Sequence, residues 1–258
     1  MSRTVLLIHG AFAGGWIFAR LGQRLTEAGF RVVAHDLPLH GKKLPADGGK
    51  ALGRLSLTDY LSDLLAVTVR LDQAPIVIGH SLGGLLAQQL AALDRARAAI
   101  LLGPVAPWGV FPATTFEVLS ALGLYQAGSF WDRTLWPDWT IARSYSLDKF
   151  DQDGARAVFD QLGPESGRVL FEVMHWGLDS NHASAVDARK VACPILCLAG
   201  GDDRVCSPGT VRSIAHRYRR HATYDVIPGL SHFMFGEPAE PLMVDRIFGW
   251  LAENRLMP

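Results

Sequence analysis

The sequence predicts a doubly wound, mostly parallel α/β sheet with a helical lid inserted after the fourth strand. Six short apolar runs recur along the chain, most of them followed by a stretch with helical periodicity. Strands apolar throughout and separated by helices belong in a parallel sheet covered on both faces. The alternation breaks once, between residues 104 and 190, where five of the seven tryptophans fall.

"TVLLI" (4–8) reads as the first buried strand, and "WIFARLGQRLTEAG" (16–29) as an amphipathic helix ending on Gly29. "RVVAHDL" (31–37) is the second strand, and "LTDYLSDLLAVTVRL" (57–71) a helix with Thr58 as its expected N-cap. "PIVIGH" (75–80) is the third strand, "LGGLLAQQLAALD" (82–94) its helix and "AAILLGP" (98–104) the fourth strand. Segment 104–190 contains helix-like pieces and no clear buried strand. "CPILCLAG" (193–200) is the fifth strand, "GTVRSIAHRY" (209–218) a helix, "ATYDVIP" (222–228) the sixth strand and "PLMVDRIFGWLAE" (241–253) the closing helix. Residues 1–103 and 191–258 are thus expected to form the core, and 104–190 the cap. Ligands of open α/β sheets bind at the carboxyl ends of the strands, so an aromatic insertion after a strand end reads as a lid. Trp108, Trp131, Trp136, Trp139, His175 and Trp176 are its expected pocket-lining residues, with Phe12 and Phe233 from the core.

The 258 residues are 49% hydrophobic and 19% charged, with 25 basic and 25 acidic side chains. A balanced charge supplies no field to gather nucleic acid or anionic membrane. No apolar run is long enough for a membrane span, and the N-terminal run is too short for a signal-peptide core; a cytoplasmic protein is expected. The expected partners are a small ester-like substrate and, at most, a second copy in a homodimer. Cys193, Cys197 and Cys206 do not suggest a disulfide framework. Cys193 and Cys197 flank a strand and stand about 13 Å apart at ~3.3 Å per residue, beyond disulfide reach. No zinc site is expected, and no cofactor.

The chemistry centres on Gly79-His80-Ser81-Leu82-Gly83. It matches G-x-S-x-G in the required strand–turn–helix context, which holds the serine up as a nucleophile at a helix N-terminus. A serine hydroxyl needs a base. Of nine histidines, His232 in "IPGLSHFMFGEP" stands after the last strand and before the closing helix, as the order Ser, acid, His requires. His9 and His80 adjoin glycines at strand ends and are read as shaping those loops. The carboxylate that orients the base is offered by "LCLAGGDDRVCSP" as Asp202 or Asp203. For the oxyanion hole, one N–H is that of Leu82; the other is assigned to Ala11, with Phe12 as the alternative.

With these residues placed, the chain resembles the α/β-hydrolase superfamily. "LLIHGAFAGGW", "DLPLHG", "GHSLGG", "AGGDDRVCSP" and "PGLSHFMFGEP" fall in that family's order and cover the chain outside the cap. The resemblance is strongest to small esterases similar to plant methylesterases and hydroxynitrile lyases, and to bacterial lysophospholipase-like hydrolases. It implies that the acid stands three residues after the strand-ending Gly200, at Asp203. Leu39 departs from the pattern, since relatives usually carry glycine there. The resemblance implies a cofactor-free serine carboxylic-ester hydrolase. C–C bond hydrolysis, lactonase, amidase, thioesterase and perhydrolase chemistry stay open on the same triad, as does a receptor-like ligand binder. Ser81 argues against dehalogenases and epoxide hydrolases, which use aspartate, and Ala11 against a hydroxynitrile lyase, which carries threonine there. The cap holds 11 acidic against 7 basic residues, slightly disfavouring anionic substrates.

Overall fold

In the computed structural model, residues 3–41, 49–123 and 128–258 are described, apart from the side chains of Phe116 and Ser120. The expected core and cap ranges therefore include residues 1, 2, 42–48 and 124–127, which lie outside the described residues.

The strands in chain order are β1 (Thr4–Ile8), β2 (Arg31–His35), β3 (Ile76–His80), β4 (Ala98–Leu102), β5 (Thr134–Leu135), β6 (Glu165–Ser166), β7 (Ile195–Gly200) and β8 (Ala222–Ile227). Helices are α1 (Ala19–Glu27), α2 (Leu57–Val69), α3 (Leu82–Ala92), α4 (Thr115–Gly123), α5 (Trp139–Tyr145), α6 (Gln152–Phe159), α7 (Gly167–Met174), α8 (Pro208–Tyr218) and α9 (Glu240–Glu253). Six strands form one sheet in the order β2-β1-β3-β4-β7-β8, every neighbouring pair parallel. From β1 the chain winds outward to β2, then returns to β3 and winds the other way. The carboxyl ends of β1 and β3 therefore flank the point where the strand order reverses, where such sheets open a crevice. Ile8 ends one strand and His80 the other, directly before the serine turn.

Why the central strands are predominantly apolar on both faces is visible in the pleat. Leu6 and Ile8 of β1 enter the layer packed with α2, α3 and α8, whereas Val5 and Leu7 enter the layer packed with α1 and α9. Both faces are covered, so both sets must be apolar. The edge strands β2 and β8 are less buried than the central ones.

Three local expectations are corrected. The N-cap of α2 is Ser56, not Thr58: the Ser56 side chain accepts the Asp59 N–H and the Asp59 carboxylate accepts the Ser56 N–H, a reciprocal arrangement that satisfies two otherwise orphaned donors. A 3₁₀ turn (Gly15–Phe18) precedes α1, which starts at Ala19. Segment 104–190 carries strand structure after all, the two-residue antiparallel pair β5–β6. The chain does turn at Gly29, with φ of +91°. All three cysteines are free thiols. Among the described residues no helix is long and apolar enough to cross a membrane.

Candidate active site

The turn from β3 into α3 is built from close approaches. A Cβ at Gly79 would lie 2.1 Å from the Gly83 carbonyl oxygen, and one at Gly83 would lie 2.1 Å from the Ile8 carbonyl oxygen. Only residues without a side chain let this turn pass so near β1. Ser81 at its apex has φ 52° and ψ −116°, a sparsely populated conformation for a residue with a Cβ. The surrounding backbone holds it there. Its N–H donates to the Leu102 carbonyl (2.9 Å), and its own carbonyl accepts the Val105 N–H (3.0 Å).

His232 reaches this serine from the loop after β8. Its Nε2 lies 3.0 Å from Ser81 Oγ and its Nδ1 2.9 Å from Asp203 Oδ2. A carboxylate can only accept, so Nδ1 carries the proton and Nε2 is free to accept the serine hydroxyl hydrogen. The other Asp203 oxygen accepts the Val205 and Cys206 N–H groups, both at 2.8 Å, and the Asp203 side chain is fully buried. Gly103, with φ of +48°, passes close beside the pair, where a Cβ would come within 3.0 Å of Asp203 Oδ2. Burial, with the Asp203 charge second, pushes the neighbouring Cys206 thiol well above its ordinary value. Asp202 points elsewhere, to Lys149.

The loop after β1 lies against the serine. A Cβ at Gly10 would sit 2.9 Å from Ser81 Cβ. Among the described residues neither the Ala11 nor the Phe12 N–H has a protein acceptor. Leu82 is the first residue of α3, so its N–H lacks an intrahelical partner. Phe12 has φ of 62°, and its carbonyl accepts the Gly163 N–H of segment 104–190 at 2.8 Å.

Two further histidines brace these loops. His80 Nε2–H donates to the His232 carbonyl at 2.8 Å. Burial, reinforced by His232, lowers its pKa to about 3, so it stays neutral. His9 accepts the Leu37 N–H on Nε2 (2.9 Å) and donates from Nδ1 to the Gly10 carbonyl (2.8 Å). Its pKa falls to about 4 through burial and then His40.

Sequence reasoning missed a buried polar cluster behind His9. Glu165 of β6 accepts the Tyr60 hydroxyl (2.6 Å) and its neighbour's N–H, and lies 3.2 Å from His40 Nε2. Both side chains are almost wholly enclosed. The His40 pKa is raised against the opposing desolvation by the Glu165 charge, and that of Glu165 is lowered against its own desolvation by His40. No local pattern marks this pair, because 125 residues separate its members.

Of the expected pocket aromatics, the structure brings Phe233 beside the His232 loop, its ring 6.1 Å from Phe150 and 6.2 Å from Trp16. The others group differently. Trp108 and Trp176 stack with Phe111 and His182, Trp131 and His175 with Phe130 and Phe171, and Trp139 with Phe159. Among the described residues none of these ring contacts reaches His232 or Phe233. Trp136 is 56% exposed.

The chain is similar to known proteins over nearly its whole length. The profile of the "Alpha/beta hydrolase family" matches residues 5–242. A monoacylglycerol lipase of Mycolicibacterium smegmatis is 26% identical over 97% of this chain and 88% of its own length. A pimeloyl-[acyl-carrier protein] methyl ester esterase of Chromobacterium violaceum is 28% identical over 90% and 87%. Among solved structures, a monoacylglycerol lipase from Paleococcus ferrophilus superposes with a TM-score of 0.71 at 23% identity, covering 97% of this chain and 94% of its own. A family profile spanning nearly the whole chain, on a sheet wound in this order, assigns the protein: it is a member of the alpha/beta hydrolase family.

Proposed function

We propose that the protein hydrolyses a carboxylic ester of a small apolar or aromatic substrate through an acyl-enzyme on Ser81. The observation that carries this reading is the unbroken chain Ser81 Oγ–His232–Asp203, with spacings of 3.0 and 2.9 Å. Curated relatives named as a lipase and a methyl ester esterase support the ester class.

His232 Nε2 takes the Ser81 proton as Oγ attacks the ester carbonyl. The imidazolium that forms is stabilised by Asp203, whose charge stays buried beside it. The Leu82 and Ala11 N–H groups donate to the tetrahedral oxyanion; one such donor is worth about 3–4 kcal/mol in the transition state. His232 then gives its proton to the leaving alcohol. Water, deprotonated by the same nitrogen, attacks the acyl-enzyme and frees Ser81. Segment 104–190 acts as the cap over this site, with Gly163 gripping the oxyanion loop at Phe12.

The test is kcat/KM on p-nitrophenyl esters of increasing acyl length, for the native protein and Ser81→Ala. Turnover in the native protein that falls by at least a thousandfold in Ser81→Ala supports the reading. No ester turnover by the folded native protein, or equal turnover in both, overturns it.

A further inference from the structure

Residues 144–150 run from the end of α5 to the residue before the N-cap of α6. This single cap turn touches the neighbours on both sides of Asp203 and on both sides of His232. Lys149 Nζ is 2.5 Å from Asp202 Oδ2. Arg204 donates to the Ser144 carbonyl at 2.6 Å, its guanidinium lies 5.0 Å from the Tyr145 ring centre, and Asp148 stands 3.8 Å away. On the other loop, Ser231 Oγ is 3.2 Å from the Ser146 carbonyl, and Phe233 packs against Phe150. The turn is itself stapled, since Arg143 donates to the Leu147 and Phe150 carbonyls at 3.0 and 3.3 Å, and Leu147 is buried.

We infer that this cap turn is a positioning clamp for the acid and the base, with Arg204 and Lys149 as its positioning residues. The inference rests on the Ser-His-Asp reading above. Asp203 faces His232 and His232 faces Ser81, while the residues before and after each of them face the cap. Two loops already joined by the His232–Asp203 hydrogen bond and by the Asp202 N–H donating to the Leu230 carbonyl at 2.9 Å are thereby tied to a third body as well. Reaction geometry is sensitive to such ties, because a displacement of 1 Å can cost about a hundredfold in rate. The Lys149–Asp202 pair is 30% and 49% exposed, and pairs that open add little to stability. Their placement on either side of the acid gives them a role that stability does not explain.

The test compares the native protein, Arg204→Ala/Lys149→Ala and Ser81→Ala on p-nitrophenyl butyrate, with a thermal melt of each. The clamp requires kcat of the double variant to fall by about 10- to 100-fold with KM within twofold. A kcat within twofold of native overturns it, as does a rise in KM at constant kcat, which would make the turn a substrate contact. If the double variant does not fold, the charge swap Lys149→Glu with Asp202→Lys decides. Recovery of kcat at least fivefold above Lys149→Glu alone supports the clamp, and no recovery overturns it. Residual turnover in Ser81→Ala would instead count against the triad reading, so the two failures are distinct.

Discussion

Replacing Asp203 by asparagine is the sharpest probe of the site, because the surrounding groups leave the new amide one orientation. Oδ1 of Asp203 accepts two N–H groups, from Val205 and Cys206, at 2.8 Å each. In Asp203→Asn the carbonyl oxygen must keep that place, since an NH₂ there would face two donors. The amide NH₂ then points at His232 Nδ1, 2.9 Å from the replaced oxygen. That nitrogen must become the acceptor, and the imidazole proton moves to Nε2, where it faces Ser81 Oγ at 3.0 Å. The serine is left without a base although every heavy atom stays in place. A wrong tautomer of this kind lowers kcat by about 10⁴ in serine enzymes of this design, or about 5 kcal/mol of activation free energy. The assay is kcat on a saturating p-nitrophenyl ester, with a thermal melt to show the fold is kept. Asp202→Asn, which loosens only the Lys149 contact, is expected to lose no more than about tenfold, the lower end of a displacement effect. A loss below tenfold in Asp203→Asn, or a larger loss in Asp202→Asn, would refute the reasoning.

Two further outcomes are expected. Leu39 has φ of 62°, where a residue with a Cβ costs about 1–2 kcal/mol and glycine does not; Leu39→Gly is expected to raise the melting temperature by roughly 1–3 °C after the entropy cost of glycine, and a fall would show that packing holds Leu39 in place. His9 and His80 are buried neutral, with pKa values of about 4 and about 3. A histidine with a depressed folded pKa favours the unfolded chain once pH drops below the unfolded value of about 6.5, and each contributes a loss of about 2 kcal/mol by pH 5. His40, whose pKa is raised, works the other way, gaining stability as pH falls through its folded value and keeping it below 6.5. The two losses outweigh the one gain, so the urea midpoint is expected to fall between pH 7 and pH 5. A flat midpoint would refute the account of His9 and His80.

How much of this was legible in the sequence depends on the range of the interaction. The buried strands were legible because both pleat faces are apolar, as Leu6 and Val5 show. The serine turn was legible because Gly79 and Gly83 are forced by contacts within it and with β1. The N-cap of α2 was misplaced by two residues, although Ser56 followed by Asp59 carries a local capping pattern. Segment 104–190 was legible only as a composition. Its tryptophans pair according to the path of short helices and loops, and nothing in the spacing of Trp108 and Trp176 says that they meet. The His40–Glu165 pair and the turn at 144–150 join segments far apart in the chain, so their partners emerge only in three dimensions.

The enclosed pair of His40 and Glu165 sets a bound on how often β6 parts from the loop after β2. Separating β6 from the loop after β2 would strand one charge without its partner, a cost of about 3–5 kcal/mol for a buried pair. At that cost the two sides part less than about one percent of the time. The seam between β6 and the loop after β2 is therefore a fastened edge of segment 104–190.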